Sequence, residues 1–410
     1  MSISQLDVKS RMAYFRRLSV VFADELRIKI VSELNLREMS PNQFFREFGG
    51  GSVSRVDRHF QKLVEHGWLR LVREETGGKR RGATEHFYRA TELAVFDNET
   101  WALVPYPVRV AYSWKTFMTF AERVRDALAA GTLDARADSH LSWTTLVLDE
   151  LGWERVMAAI DALFAVLFEE QEDAKIRMAH TGEVPIHATV GLAAFESPVK
   201  GDGPTGPVLV EARRESPFPF PVRVSKVLAD ELCVMVLAEA SLREVSPPLF
   251  QAEIGGPSVD VVRRRFRTLE ELGWLAKVTT KTGGCRRGAA EQFYRATGPA
   301  ILGNEAWASI PASAKPTYSW TVFNTLAEKV KDAILGGTFE ARLDNHLSWS
   351  GFRLDGQGWT RVATQVDALL AVVLKEKDRA EDELEGSGEA GILTTVGLAA
   401  FESPEDLKVP

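Results

Sequence analysis

Cysteine is nearly absent: the chain of 410 residues has two, Cys233 and Cys285. Both fall in the second of two like halves, which excludes a shared structural disulfide and leads us to expect a reducing compartment. No run reaches the roughly 18 apolar residues that a membrane-spanning helix needs. The opening MSISQLDVKSRMAYF carries no hydrophobic leader core. The expectation is a cytoplasmic protein with no membrane partner. Nucleophile motifs, glycine-rich phosphate loops and paired metal-ligand spacings are missing too. No catalytic residue, cofactor or metal is therefore assigned, and an enzyme is not expected.

What the chain has in abundance is itself. At an offset of 206 residues FYRAT recurs at 87–91 and 293–297, HLSW at 140–143 and 346–349, and VGLAAFESP at 190–198 and 396–404. Solenoid units run about 20–50 residues, so this period marks a duplicated domain pair. Two like units in one chain can build the pseudo-twofold surface that homodimers reach by symmetric association. With 45% apolar residues there is ample material for two cored halves.

The net charge of −7 argues at first against an anionic partner, but its distribution reverses that impression. Residues 52–91 hold 9 basic and 5 acidic side chains, and residues 258–297 hold 9 and 4. A basic window in each copy on an acidic body suggests a focused anionic contact.

Within the first copy, 18–35 has helical apolar spacing at Val21, Phe22, Leu26, Ile30 and Leu34. Ser40-Pro41 opens a short second helix that stops at Gly49. Ser52 precedes a third helix whose stripe is Val53, Val56, Phe60, Leu63 and Val64, with Gly67 as its stop. Two extended runs, 68–74 and 83–91, flank the basic tip TGGKRRG, a hairpin pattern. The second copy repeats this with Ser246-Pro247, a third helix over 258–275 and the tip TGGCRRG at 282–288. Further along, Ser113 is expected to cap a helix, 141–149 and 189–197 read as strands, and 152–178 and 358–384 as long helices that pair. The stretch 199–221 reads as a Pro- and Gly-rich, partly extended tether, and 378–391 as an acidic tail, mobile near its glycines.

The order helix, short helix, longer helix, hairpin describes a helix-turn-helix with a wing. Together with Ser40-Pro41, Ser52-Val53-Ser54, Gly67-Trp68-Leu69, the Arg80-Arg81-Gly82-Ala83 tip and Phe87–Thr91, it resembles the winged helix-turn-helix regulators of the ArsR-like type, particularly those common in actinobacteria. The resemblance covers 18–92 and 224–298. It implies sequence-specific binding of double-stranded DNA as a dimer, usually repression relieved by a signal. Metal-sensing members of that type use a CxC-type thiolate pair; here Cys233 is followed by Met235, so metal sensing is rejected.

The expected fold class is therefore α+β, mainly helical: two tandem winged helix-turn-helix domains, each followed by a helical and small-sheet C-terminal part. The expected boundaries are 1–92 and 93–198 for the first copy, 199–221 for the linker, and 222–298 and 299–410 for the second. In a helix-turn-helix the third helix enters the major groove. Its outward residues are expected to be Ser54, Arg55, Arg58, Gln61 and Lys62 in copy one, and Asp260, Val261, Arg263, Arg264, Arg267 and Thr268 in copy two. Arg and Gln suit bidentate base contacts. The tips Lys79, Arg80, Arg81, Arg286 and Arg287 are expected on the DNA backbone or in a minor groove.

Asp138 and Asp344, two residues before His140 and His346, invite an acid/base reading, but a hydrogen-bonding histidine at a strand start is the expectation. The repeated tryptophans, Trp114, Trp143, Trp320 and Trp349 above all, are candidates for lining a small-molecule effector pocket. The function expected is a single-chain pseudo-dimeric transcription regulator, nucleoid-associated, on an imperfect inverted repeat. The rival is a winged-helix scaffold that binds a protein or small ligand, favoured by Asp260, Val261 and the acidic total.

Overall fold

The computed structural model of the chain describes residues 8–76, 84–92, 94, 101–198, 218–278, 291–298, 301 and 307–404. Within them the architecture is α+β and mainly helical, with small antiparallel sheets. The first copy runs α1 (Val8–Phe22), α2 (Glu25–Leu36), α3 (Pro41–Phe48), α4 (Val53–Glu65), β1 (Leu69–Thr76), β2 (Thr84–Ala90), α5 (Tyr106–Ala130), β3 (His140–Leu148), α6 (Glu150–Thr181) and β4 (Ile186–Glu196). The second repeats the order with α7 (Phe220–Leu228), α8 (Glu231–Leu242), α9 (Pro247–Ile254), α10 (Val259–Glu271), β5 (Leu275–Val278), β6 (Phe293–Ala296), α11 (Lys315–Gly336), β7 (His346–Leu354), α12 (Gly356–Ser387) and β8 (Ile392–Glu402).

Ser40 and Ser52 cap α3 and α4, accepting from the backbone N–H of Gln43 (3.0 Å) and Arg55 (3.2 Å). Four expectations are corrected. The single helix over 18–35 is two, because Asp24 turns extended and accepts from the Leu26 N–H at 2.9 Å, starting α2 afresh. Ser113 caps nothing: α5 starts earlier, at Tyr106, with Pro107 in its first turn, and the Ser113 hydroxyl lies inside it. The expected tether 199–221 lies outside the described residues up to 217, and its last two positions already belong to α7. The acidic stretch 378–391 is no tail: α12 continues to Ser387, and Gly388 closes it at φ 69°, a left-handed geometry glycine adopts without a Cβ clash.

The centre of the molecule is a four-stranded sheet of order β3-β8-β4-β7. The last strands of the two copies, β4 and β8, pair at its middle, with Gly191 opposite Ala399 and Gly397 opposite Ala193. Each edge strand lies against the other copy: β3 pairs with β8, and β7 with β4. Strands β3 and β4 of one copy are never neighbours, so one copy alone cannot form this sheet. Contacts made by i with j in one direction recur with the copies exchanged, which is the mark of an isologous, pseudo-twofold relation.

Strand periodicity sorts the side chains onto two faces. Leu146, Val190, Phe352 and Leu398 pack under α6 and α12. Leu141, Phe195, Ala399 and Phe401 face α5 and α11. The two 32-residue helices run antiparallel, each about 48 Å long. Crossed ion pairs lace them: Arg155–Glu376 at 3.2 Å and its counterpart Arg361–Glu170 at 2.8 Å.

The helix-and-hairpin units dock on this core reciprocally. The Asn35 amide, near the end of α2, donates to the Gly351 carbonyl of β7 at 3.2 Å. In the other direction the Thr145 hydroxyl of β3 donates to the Ala238 carbonyl of α8 at 2.7 Å. A buried ion pair ties each unit to its own copy as well: Glu33 with Arg123 at 2.7 Å, and Glu239 with Lys329. Removing one member of such a pair strands a buried charge, at about 3–5 kcal/mol.

Candidate nucleic-acid interface and two internal cavities

Helix α4 buries Val56, Phe60 and Leu63 against α2, α3 and the hairpin. The opposite face exposes Ser54, Arg55, Arg58, Gln61 and Lys62 to solvent. Val53 is corrected: at the first helical position it is 37% exposed and stands outside the core stripe. Gln61 is tied down by a 3.4 Å hydrogen bond from its amide to the Tyr88 hydroxyl, whereas Arg58 folds back only to the Ser54 carbonyl at 3.3 Å. His59, on the flank, is held below its ordinary value chiefly by burial, against the pull of Asp24.

Helix α10 buries Val262, Phe266 and Leu269 and exposes Asp260, Arg263, Arg264 and Arg267, with Val261 and Thr268 half-buried. Its face differs from that of α4 in chemistry as well as in sequence. Asp260 pairs with Arg263 at 2.5 Å one turn on, neutralising part of the positive surface. The Thr268 hydroxyl donates to the Arg264 carbonyl at 3.1 Å and so turns back onto its own helix. The five tip residues Lys79, Arg80, Arg81, Arg286 and Arg287 lie outside the described residues.

Cys233 is 2% exposed in α8, and burial pushes its thiol up to about 12. No group of three or more His, Cys, Asp or Glu side chains is placed to hold a metal among the described residues. His140 and His346 each share a short hydrogen bond with the serine two residues on, Ser142 at 2.6 Å and Ser348 at 2.8 Å. The aspartates before them face elsewhere: Asp138 lies against Arg136 at 3.5 Å, and Asp344 accepts from Trp153 at 2.7 Å.

Two cavities related by the 206-residue offset sit between a docked unit and the opposite copy's HLSW strand. The larger, about 90 Å³, is walled by Phe22 and Ser32 of α1 and α2, Trp101 and Ser113, and the strand residues His346 and Trp349. The smaller, about 50 Å³, is walled by the counterparts Leu228, Ala238 and Trp307 together with Ser139, His140 and Trp143. Among the described residues no Asp, Glu, Lys or Arg lines either one. Of the four tryptophans expected at a pocket, Trp143 and Trp349 are there. Trp114 packs on Phe117 and Trp320, 44% exposed, on Phe323, because their positions on α5 and α11 turn them off the cavity side.

Three indole N–H groups on the cavity walls are already satisfied. Trp143 donates to Thr325 at 3.0 Å, Trp349 to Thr119 at 3.2 Å and Trp101 to Glu340 at 3.2 Å. Glu340, 2% exposed, also accepts from Ser113 at 2.5 Å and lies 3.3 Å from the Arg109 guanidinium. Burial holds its carboxyl above the ordinary range, while Ser113 and Arg109 pull it back. Its counterpart Asp134 accepts from Ser319 at 2.8 Å and is likewise raised by burial. These matched acids, Glu340 buried and Asp134 half-buried, were missed. Their signal was present: an acid stands at both 134 and 340, followed by the matched charges Arg136 with Arg342 and Asp138 with Asp344.

No family model, no curated protein and no solved structure matches this chain. No helix among the described residues is long and apolar enough to cross a membrane.

Proposed function

We propose that the chain is a transcription regulator that binds duplex DNA through two winged helix-turn-helix heads of the ArsR-like type. One covalent pseudo-dimer carries both heads. The observation that carries this reading is the face of α4: Arg55, Arg58, Gln61 and Lys62 exposed together above a fully buried Val56–Phe60–Leu63 stripe. Arg and Gln can read base edges bidentately, and Lys can meet phosphates. The shared sheet and paired long helices support a fixed spacing of two such faces. Adjacent major-groove faces lie about 34 Å, or 10 base pairs, apart. Because α10 carries Asp260 where α4 carries Ser54, the operator is an imperfect inverted repeat with unequal halves. The reading assigns no catalytic step and no cofactor, and it places the protein on the nucleoid.

The Asp260–Arg263 pair favours a second reading, a winged-helix scaffold that holds a protein or small ligand and does not read sequence. Selection from a random duplex library, followed by anisotropy titration of the selected duplex at several salt concentrations, separates the two. A selected motif with two unequal halves, and a log K against log salt slope of about 0.9 per phosphate contact, supports the regulator. Sequence-blind, weak binding supports the scaffold.

A further inference from the structure

We infer that the two cavities under the heads are ligand sites for a small uncharged ring molecule bearing one hydrogen-bonding group, and that its binding adjusts how each head sits on the core. The effect on DNA rests on the regulator reading above; the ligand sites do not.

The walls set the ligand's chemistry. Among the described residues they hold no charged side chain, so an ionic ligand would lose its hydration there without gaining a partner. His346 is neutral near physiological pH, because burial lowers it to about 4. The large surfaces are flat and apolar: the indoles of Trp349 and Trp143, with Trp101 and Trp307. The N–H groups of Trp349, Trp143 and Trp101 are occupied, so these three offer faces rather than donors, which is what a ring requires. A few neutral polar groups remain. In the smaller cavity the Ser139 hydroxyl, 2% exposed, has no hydrogen-bond partner among the described residues. In the larger one Ser32, Ser113 and the His346–Ser348 pair are at hand. A site built this way takes one hydroxyl or amide from its ligand.

The volumes set the size. At about 15 Å³ for each water-sized occupant, the 90 Å³ cavity has room for roughly six heavy atoms, about a single ring, and the 50 Å³ cavity for roughly three, so the smaller must widen to take the same ring. Position supplies the coupling. One wall of the larger cavity is α1 and α2 of the first head, and the other is β7 of the second copy, where Asn35 meets Gly351. Ser113 and Thr116 of α5 and Phe164 of α6 complete the lining, and widening the gap between α2 and β7 moves the head against the sheet. Each site draws on both copies, so neither exists without the intramolecular exchange of strands.

Phenol is the probe, with benzoate and benzylamine as charged counterparts of similar size. The full chain is labelled with 5-fluorotryptophan and titrated without DNA. We expect saturable fluorine shifts at Trp143 and Trp349, none at the core residue Trp68, a Kd on the order of 1 mM or tighter, and no response to either ion. Ser32→Phe fills the larger cavity and should abolish the Trp349 shift alone; Ala238→Phe should abolish the Trp143 shift alone. If a filled variant does not fold, the unmodified chain still reports, because the label locates the ligand without any substitution. Absence of a saturable shift at both indoles, or equal binding of the ions, overturns the sites. Phenol that binds yet leaves the isotherm of a selected duplex unchanged overturns the coupling. A chain that takes phenol but selects no duplex overturns the regulator reading and leaves the cavities standing.

Discussion

Arg379 grips Asp149, the residue that caps the opposing long helix: its two terminal nitrogens reach the carboxylate at 2.9 and 2.5 Å. The reverse contact is Arg177 on Asp355, the cap of α12, at 2.6 and 2.8 Å. The two arginines are not equivalent in the repeat. Position 379 aligns with Asp173 and position 177 with Glu383, one helical turn apart. Each copy has therefore placed its arginine differently and still reaches the partner's cap. The guanidinium also holds Asp149 below the ordinary carboxylate value of 3.8.

The first prediction follows from that grip. Arg379→Ala should destabilise the chain by about 1–2 kcal/mol near neutral pH, since a charge-assisted bidentate contact to a partly buried cap is lost. A depressed carboxylate contributes stability above its unfolded pKa and loses it as the pH falls through the lower folded value. The gap between wild type and variant should thus be full above about pH 4 and close in stronger acid. Urea unfolding at pH 7 and at successively lower pH measures it, and a gap that stays constant sinks the assignment.

His346 gives the second, with a different pH window. Its folded value near 4 lies below the ordinary 6.5 because burial disfavours the charged ring. The unfolded chain takes up the proton first, so this contribution is complete above about pH 6.5 and is lost as the pH falls toward 4. The loss should amount to about 2–3 kcal/mol. His346→Gln keeps a hydrogen-bonding side chain without the titration, so the variant should fall less steeply than wild type across that interval. Parallel curves would show that the ring is open to protonation in the folded state.

The centre of the sheet provides a ranking. A Cβ at Gly191 would lie 2.5 Å from the Phe120 ring, whereas one at Gly397 would meet Leu326 at 3.3 Å. Gly191→Ala must displace an aromatic ring that is itself 5% exposed, an overpacking expected to cost about 1–3 kcal/mol. Gly397→Ala asks only for a small leucine adjustment and should cost less. Thermal melts of the two variants decide this; equal costs, or the reverse order, would mean that the helices α5 and α11 sit farther from the sheet than described.

How much of this was legible in advance depends on how local its cause was. The cap at Ser40, the helix after Ser52 and the buried stripe Val56–Phe60–Leu63 follow from neighbours within one or two turns, and they stand as read. Val53 failed because periodicity places a residue on a face but does not supply something to cover it. The break at Asp24 carried a local signal, a short acidic side chain able to cap, that the surrounding helical pattern outweighed. The exchanged sheet left no local trace. With HLSW and VGLAAFESP present twice, pairing within a copy or between copies satisfies the same sequence, and the choice is made by packing across more than 200 residues. For the same reason Trp114 and Trp143 looked alike, although only the second meets a cavity.

The last prediction concerns the two reading faces, and its strength lies in their inequality. Arg58→Ala and Arg264→Ala alter matched positions, each exposed on its helix. If both heads contact a selected duplex, each change should weaken binding by about 1–3 kcal/mol and relax sequence preference in one half-site only. Asp260→Asn acts in the opposite sense. It removes the carboxylate that holds Arg263 at 2.5 Å, freeing a guanidinium for phosphate and steepening the salt dependence by about 0.9 in the slope. Replacing Arg80 and Arg81 by Glu tests the wing, and should abolish binding. Anisotropy titrations of these variants against one selected duplex, and against versions mutated in either half, form a closed set. Loss confined to Arg58→Ala would mean that the first head reads alone. Loss with Arg264→Ala and a gain with Asp260→Asn would show that the second head is engaged, with its own acidic side chain holding its affinity down.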